Sequence, residues 1–303
     1  MKTNATVRII IWSLVIVVLL GILLAGLGWH TLRSRREIRW EQTPVETEAA
    51  FGALPNDETI SFPADTIREI EIVWVSGDII LLPADTEEIT ISESDVSDRK
   101  YSMVWKQTGE KLEILFSEDR AFSVIGIHSD DYISKDLYIR VPQSWECNSL
   151  EVDAAAATLE VRNMTIREVD FDGASGTCDF VNCSIKDLDI DTASGDVTFS
   201  GTLGSLDFDA ATASFIGEFQ NTPDRIDMDS MSGSLDIALP EDCGYSLSID
   251  GMNSSFRSDF QGMESRNGTH IYGDGHCTIQ VDGMSCDVTI RKLETIYPEE
   301  TNP

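Results

Sequence analysis

The chain has 303 residues and carries 53 Asp or Glu against 22 Lys or Arg, a formal net charge of −31. Such an excess argues against nucleic acid or an anionic lipid face as a direct partner, because both would repel it. Six cysteines (Cys147, Cys178, Cys183, Cys243, Cys277, Cys286) are too few and too scattered for a disulfide framework, and no two have zinc-ribbon spacing.

Residues 1–29 read as a short tail and a transmembrane anchor. Ile9 to Trp29 is an uncharged run rich in Ile, Val and Leu. As a helix it spans about 30 Å, the thickness of a bilayer's hydrocarbon core. A cleaved signal peptide is the competing reading. It would have a shorter apolar region followed by a small-x-small site, and the run here ends in "LLAGLGWH". Orientation is contested. Arg33, Arg35, Arg36 and Arg39 follow the span while only Lys2 and Arg8 precede it, so the positive-inside rule puts the large C-terminal part in the cytoplasm. Residues 41–303, with sixteen Lys or Arg against fifty-two Asp or Glu, have instead the acidity of an exported or surface domain.

Residues 30–66 form a polar, Pro-containing juxtamembrane linker, expected helical near the arginines and irregular afterwards. Residues 67–146 are a β-rich but irregular start of the folded domain. They contain an expected hairpin, "YSMVWKQTGEKLEILF", turning near Thr108-Gly109, and a strand, "DLYIRVPQSW", stopped by Pro142. Residues 147–293 are a regular repeat, and 294–303 a disordered tail.

The repeat is the strongest signal. "LEVDAAAATLEV" starts at Leu150, "VDFDGASGTCDF" at Val169, "LDIDTASGDVTF" at Leu188 and "LDFDAATASFIG" at Leu206. "IDMDSMSGSLDI" follows at Ile226, "LSIDGMNSSFRS" at Leu247 and "IQVDGMSCDVTI" at Ile279, with a divergent early copy, "IEIVWVSGDIIL", at Ile70. The first steps are 19, 19, 18, 20 and 21 residues, and the last is 32. Apolar residues alternating with Asp or Ser describe a half-buried strand, and the small residues that follow let the chain turn at little steric cost. One copy is therefore strand, corner, strand and polar return link. Copies stacked about 4.8 Å apart bury an apolar face that none could bury alone. The fold class expected is all-β: a β-solenoid, a single-stranded β-helix-like stack of about 19-residue coils, after one N-terminal transmembrane helix. An antiparallel meander closing into a sandwich or barrel competes with it.

Asp153, Asp172, Asp191, Asp209, Asp229, Asp250 and Asp282 recur just before the corner. Each reads as a structural turn cap accepting backbone N–H groups of the small residues that follow. The competing reading is a column of Ca²⁺ ligands along Asp172, Asp191, Asp209 and Asp229, although neither an EF-hand loop nor a calcium-binding nonapeptide is present. A second column (Asp170, Asp189, Asp207, Asp227) reads as a solvated face. Cys178/Cys183 and Cys277/Cys286 are close enough in sequence to bridge in an oxidising compartment, while the simpler reading makes most cysteines small apolar fillers. His270, His276, Cys277 and Cys286 match no zinc spacing. No catalytic residue, cofactor or metal is expected.

Taken as a set, "VSGDIILLPADTEEITI", "KDLYIRVPQSWECNSLEVDAA", the "TASGDVTF"-type coils and "IQVDGMSCDVTIRKL" resemble a large bacterial family of β-strand-repeat proteins known as putative adhesins, a domain of unknown function common in Firmicutes. The resemblance covers roughly residues 67–293. It implies a β-solenoid on the envelope side of a membrane, often anchored by an N-terminal helix, with no known catalytic residues. It also favours the outside orientation. The arginines after the span, and corners lacking Ser-Gly ("AAAA", "ATAS", "MNSS", "MSCD"), depart from the pattern. The function expected is a non-enzymatic, membrane-anchored binding, adhesion or envelope-stress-sensing module, with an envelope component or partner membrane protein as its partner. The alternatives are a self-assembling membrane-bound scaffold and a polysaccharide-active enzyme. For the enzyme, basic residues such as Arg162, Arg167 and Arg225 do not recur beside the aspartates as a lyase would need. For the scaffold, the basic, proline-containing end "TIRKLETIYPEE" reads as a cap against polymerisation.

Overall fold

The computed structural model describes residues 52–53, 59–94, 102–117, 134–266 and 268–293. The apolar run at 9–29, the arginines after it, most of the 30–66 linker and the tail at 294–303 lie outside the described residues. Among the described residues no helix is long and apolar enough to cross a membrane.

The strands in chain order are β1 (Gly52–Ala53), β2 (Ile60–Pro63), β3 (Glu69–Ala84), β4 (Glu88–Glu93), β5 (Val104–Thr108), β6 (Lys111–Leu115), β7 (Leu137–Pro142) and β8 (Glu146–Arg162). They continue as β9 (Thr165–Phe219), β10 (Arg225–Leu239), β11 (Tyr245–Gly251), β12 (Ser255–Ser258), β13 (Glu264–Arg266), β14 (Thr269–Tyr272) and β15 (Cys277–Lys292). The fold is all-β, and the repeats stack in parallel register in a β-solenoid-like arrangement. Leu150 pairs with Val169, Leu206 with Ile226 and Ile226 with Ile279. The expected hairpin is present as β5–β6, with Gly109 in left-handed conformation at its turn.

The coils from Leu150, Val169 and Leu188 have three extended runs rather than two. In the coil from Val169 the inward side chains are Val169 and Phe171, then Cys178 and Phe180, then Cys183 and Ile185, all buried. The return link expected from sequence is thus a third strand. Its two inward residues sit among Asn, Ser, Lys and Asp, which hides the period of two. The first corner needs glycine where coils press together: Gly195 has φ +151°, and a Cβ there would collide with the carbonyl oxygen of Gly176 beneath it. The second corner uses Asn163 and Asn182, both at φ 53°, and the Asn182 amide donates to the Asn163 side-chain oxygen at 2.8 Å. Inside, like sits on like, with Phe180, Phe199 and Phe219 stepping along the axis at ring separations of 6.2 and 5.5 Å.

Spatial order departs from chain order at both ends. The sheet runs β1-β5-β6-β3-β8-β9-β10-β15-β11-β14-β13. The coil of Ile279 therefore inserts between those of Ile226 and Leu247, pairing with β10 on one side and with β11 and β12 on the other. This corrects the expectation that the Ile279 copy closes the stack and that the sequence after it caps it. The outer end is instead β11 with the antiparallel strands β14 and β13, and the last of these is three exposed residues, Glu264, Ser265 and Arg266. A short charged edge strand resists addition of further strands. At the other end the Ile70 copy is likewise interior. It is covered by β6 along its first run and by β7 along its second, and these are flanked by antiparallel β5 and β4. The sheet also begins earlier than the linker boundary at residue 66 implied: β2 pairs with β4 and buries Phe62.

The irregular end has a polar anchor of its own. Lys135 has a side chain only 1% exposed, pairs with Glu93 and donates to the Phe116 carbonyl at 2.6 Å. Its ammonium lies 4.4 and 4.9 Å from the ring centroids of Phe116 and Trp74, and Trp74 returns an N–H to the Lys135 carbonyl at 3.0 Å.

The interior position of β15 has a direct consequence. Ending the chain after His276 removes the seam between β10 and β11, so limited proteolysis should open residues 240–276 while 147–239 stays protected. An unchanged cleavage pattern would instead support stacking in chain order.

Candidate functional site: an acidic sheet face

Parallel register lays each outward side chain over its counterpart one rung away, about 4.8 Å off. Like charges so placed repel, and a rung array must relieve them. On the second run of the coils the relief is visible. Asp179 accepts from Thr198, Asp196 from Ser214, and Asp287 from Ser255 at 2.6 Å. Arg162 bridges Glu160 and Asp179, and Arg291 holds Asp236 at 2.7 Å. On the third run, Asp187 accepts from Ser205 at 2.9 Å and from Lys186 at 3.2 Å.

The first run is different. Asp153, Asp172, Asp191, Asp209, Asp229, Asp282 and Asp250 form one exposed column in that spatial order, with Asp282 between Asp229 and Asp250. Among the described residues no side chain or backbone N–H donates a hydrogen bond to any of the seven. The turn-capping expected of them is therefore not what holds the corners: a side chain alternating outward from the strand faces solvent, away from the turn's N–H groups. Two residues upstream runs the second column, Asp170, Asp189, Asp207 and Asp227. It is extended by Glu151, Glu71 and Glu113, which sequence reasoning left out although the aligned "LEV" and "IEI" copies contain two of them. Cations reach it towards its ends: Lys111 lies 2.6 Å from Glu71 and 3.4 Å from Glu151, and Arg225 pairs with Asp227.

Desolvation by the flanking rungs, and then the neighbouring carboxylates, push Asp153, Asp189 and Asp209 up to about 6. The same two causes raise Asp170, Asp172, Asp191, Asp229 and Asp282. A calcium ion needs six to eight oxygens converging on one point, whereas the column from Asp172 to Asp229 is linear. Among the described residues no three His, Cys, Asp or Glu side chains gather around a point. His270 packs on Phe256 at 4.9 Å, His276 faces Asp224 at 3.3 Å, and Cys277 and Cys286 are buried, so these four do not assemble. All six cysteines are buried as free thiols. Burial pushes Cys183 and Cys243 up to about 11 and Cys147 and Cys277 up to about 12, which leaves them unreactive.

The third run carries a shallow groove of about 460 Å³, lined in part by Thr165, Arg167, Ser184, Lys186, Thr202 and Asn221. Its two cations are already engaged, Arg167 with Glu168 and Lys186 with Asp187, so the groove offers less free charge than the acidic face does.

The Toastrack DUF4097 family matches residues 67–291. No curated protein matches. Among solved structures, the chain is similar to a putative adhesin from Bacteroides fragilis at 14% identity, covering 78% of this chain and 100% of that one, with a TM-score of 0.41. It is similar to a putative cell adhesion protein from Clostridium sporogenes at 10% identity, covering 78% and 98%, with a TM-score of 0.31. A putative lipid binding protein from Parabacteroides distasonis is 14% identical, with 80% and 98% covered and a TM-score of 0.27.

The raised carboxylates fix a sign. A carboxyl group whose folded value exceeds its unfolded one binds protons more tightly when folded, so its contribution to stability falls as pH rises from about 4 to about 6. Asp209→Asn, which removes one charge from mid-column, should therefore raise the denaturation midpoint at pH 7.5. Screening limits the gain to at most about 1 kcal/mol. The gain should vanish at pH 4 and shrink in high salt, as denaturant titrations at the two pH values and two ionic strengths would read.

Proposed function

The chain belongs to the Toastrack DUF4097 family, and on that premise we propose that it is a non-enzymatic binding module whose acidic sheet face receives a basic segment of a partner membrane protein at the cell envelope. The observation that carries this reading is the contrast between faces. The chain relieves its stacked acids with hydroxyls and basic side chains on two runs, and among the described residues the seven-aspartate column of the first run has no such donor. A cationic segment laid along the axis would supply the missing counter-charges one rung after another, and electrostatic attraction would speed its arrival. The face repeats one kind of group. An active site would set an acid and a base apart in environment and role, and nothing on this surface differentiates one carboxylate from the next in that way.

The uncharged run from Ile9 to Trp29 supplies the anchor in this reading, with the β domain on the extracytoplasmic side. Asp189 is exposed and the native thiols are buried, so Asp189→Cys adds a single reactive handle. Labelling of that handle in intact cells by a membrane-impermeant maleimide is the expected result. Labelling only after lysis would put the domain in the cytoplasm.

Binding itself is read with oligolysine and the full chain in detergent. We expect saturable binding that weakens steeply with salt. The triple substitution D172N, D191N, D209N should cost about tenfold, at roughly 0.5 kcal/mol for each exposed charge contact. Oligolysine binding that ignores both salt and the substitutions would remove the face from consideration.

A further inference from the structure

Five large apolar side chains stand exposed among the described residues, and three of them are methionines: Met231 at 52%, Met252 at 74% and Met284 at 41%. All three occupy one place in the fold. Ser230 pairs with Gly283 and Ser232 with Ser285, which sets Met231 against Met284. Gly251 pairs with Gly283, and the Asn253 N–H donates to the Met284 carbonyl at 3.0 Å, which sets Met252 on the other side of Met284. The tip of the first corner thus carries a thioether in three consecutive rungs. In four other rungs the same tip is Ala155, Ala174, Ala193 or Ala211, side chains that offer no donor.

Two residues before each methionine comes a member of the exposed aspartate column: Asp229, Asp282 and Asp250. Three soft donors therefore lie beside three unneutralised hard anions. Thioethers select soft monovalent metal ions over calcium or magnesium. The carboxylates would remain outside the coordination shell and raise the local cation concentration through their field. Reach is sufficient: the outer two Cα atoms are about 10 Å apart by strand spacing, and methionine's three rotatable bonds let the sulfurs converge. We propose that Met231, Met284 and Met252 form a thioether site for one soft monovalent cation of the Cu(I) class, held at the corner beside the aspartate column. The site stands whether or not the acidic face receives a basic segment.

The test uses the full chain in detergent, with carbon-13 in the methionine methyl groups, titrated with Ag(I) as a redox-inert probe. Met231→Leu, Met252→Leu and Met284→Leu assign the three signals and conserve side-chain volume, so a purely apolar role would survive them. The expected result is that the three methyl signals move together and saturate near roughly one Ag(I) per chain, while those of buried Met103, Met164 and Met228 do not. Each single substitution should lower affinity at least about tenfold, a loss that even outer-shell partners bring. Oligolysine binding should be unchanged in all three variants. If silver is taken up, for instance by thiols, without moving the three methyl signals, or if the triple Leu variant binds as the parent does, the proposal is overturned.

Discussion

Everything in this structure follows from one constraint: parallel strands in register force each side chain to rest on its counterpart from the neighbouring coil. For apolar residues the constraint is favourable, since Leu over Val and Phe over Phe bury each other's surface. For asparagine it is favourable too, because an amide both donates and accepts and can bond to a copy of itself, as Asn182 does with Asn163. For carboxylates it is costly, and hydroxyls or arginines in adjacent rungs offset the cost on two of the three runs. The aspartate column beside the first corner, which among the described residues has no such compensation, stands out against the chain's own habit. That contrast, more than the net charge, is the reason to place function there.

Much of this was legible in the sequence. The period of two, the small corner residues and the aspartate before each corner all report on the local strand geometry, and local geometry is what a repeat encodes. The order of the coils was not legible. Each copy is compatible with any other as a neighbour, so local pattern cannot say that Asp282 lies between Asp229 and Asp250. The 32-residue step before Ile279 was the one trace, since a chain that leaves the stack and comes back needs extra length. The third run was missed for a different reason. Cys183 and Ile185 are two inward residues in a polar setting, too short a run for periodicity to register. The aspartates stand next to a turn in sequence, as a cap would, but strand alternation aims their side chains outward, which adjacency alone does not reveal.

The two ends show how a repetitive stack acquires unique register. Interior coils are nearly interchangeable, so identity must come from contacts that occur once. Lys135 provides such a contact at one end, buried against Trp74 and Phe116 and paired with Glu93. Burial lowers its pKa, with the Glu93 carboxylate acting in the opposite direction. A buried ion pair of this kind adds little net stability, and fixing register is its best-attested use. Aromatic packing does similar work at the other end, where Tyr245, Phe260 and Tyr272 meet at ring separations between 4.7 and 5.7 Å.

The interior positions of the Ile70 and Ile279 coils bear on how such a chain can change in length over generations. In a stack laid down in chain order, a duplicated copy could be appended at either terminus and simply lengthen the column. Here the Ile70 and Ile279 coils are each enclosed by a segment from nearer the middle of the sequence, so a copy appended next to either would meet a neighbour whose edge is already paired. Lengthening must occur by duplication within residues 147–239, where each new coil meets equivalents on both sides. Residues 245–258 join the stack only through β15, so in a nascent chain they have no seat beside β10 until residues 277–292 arrive.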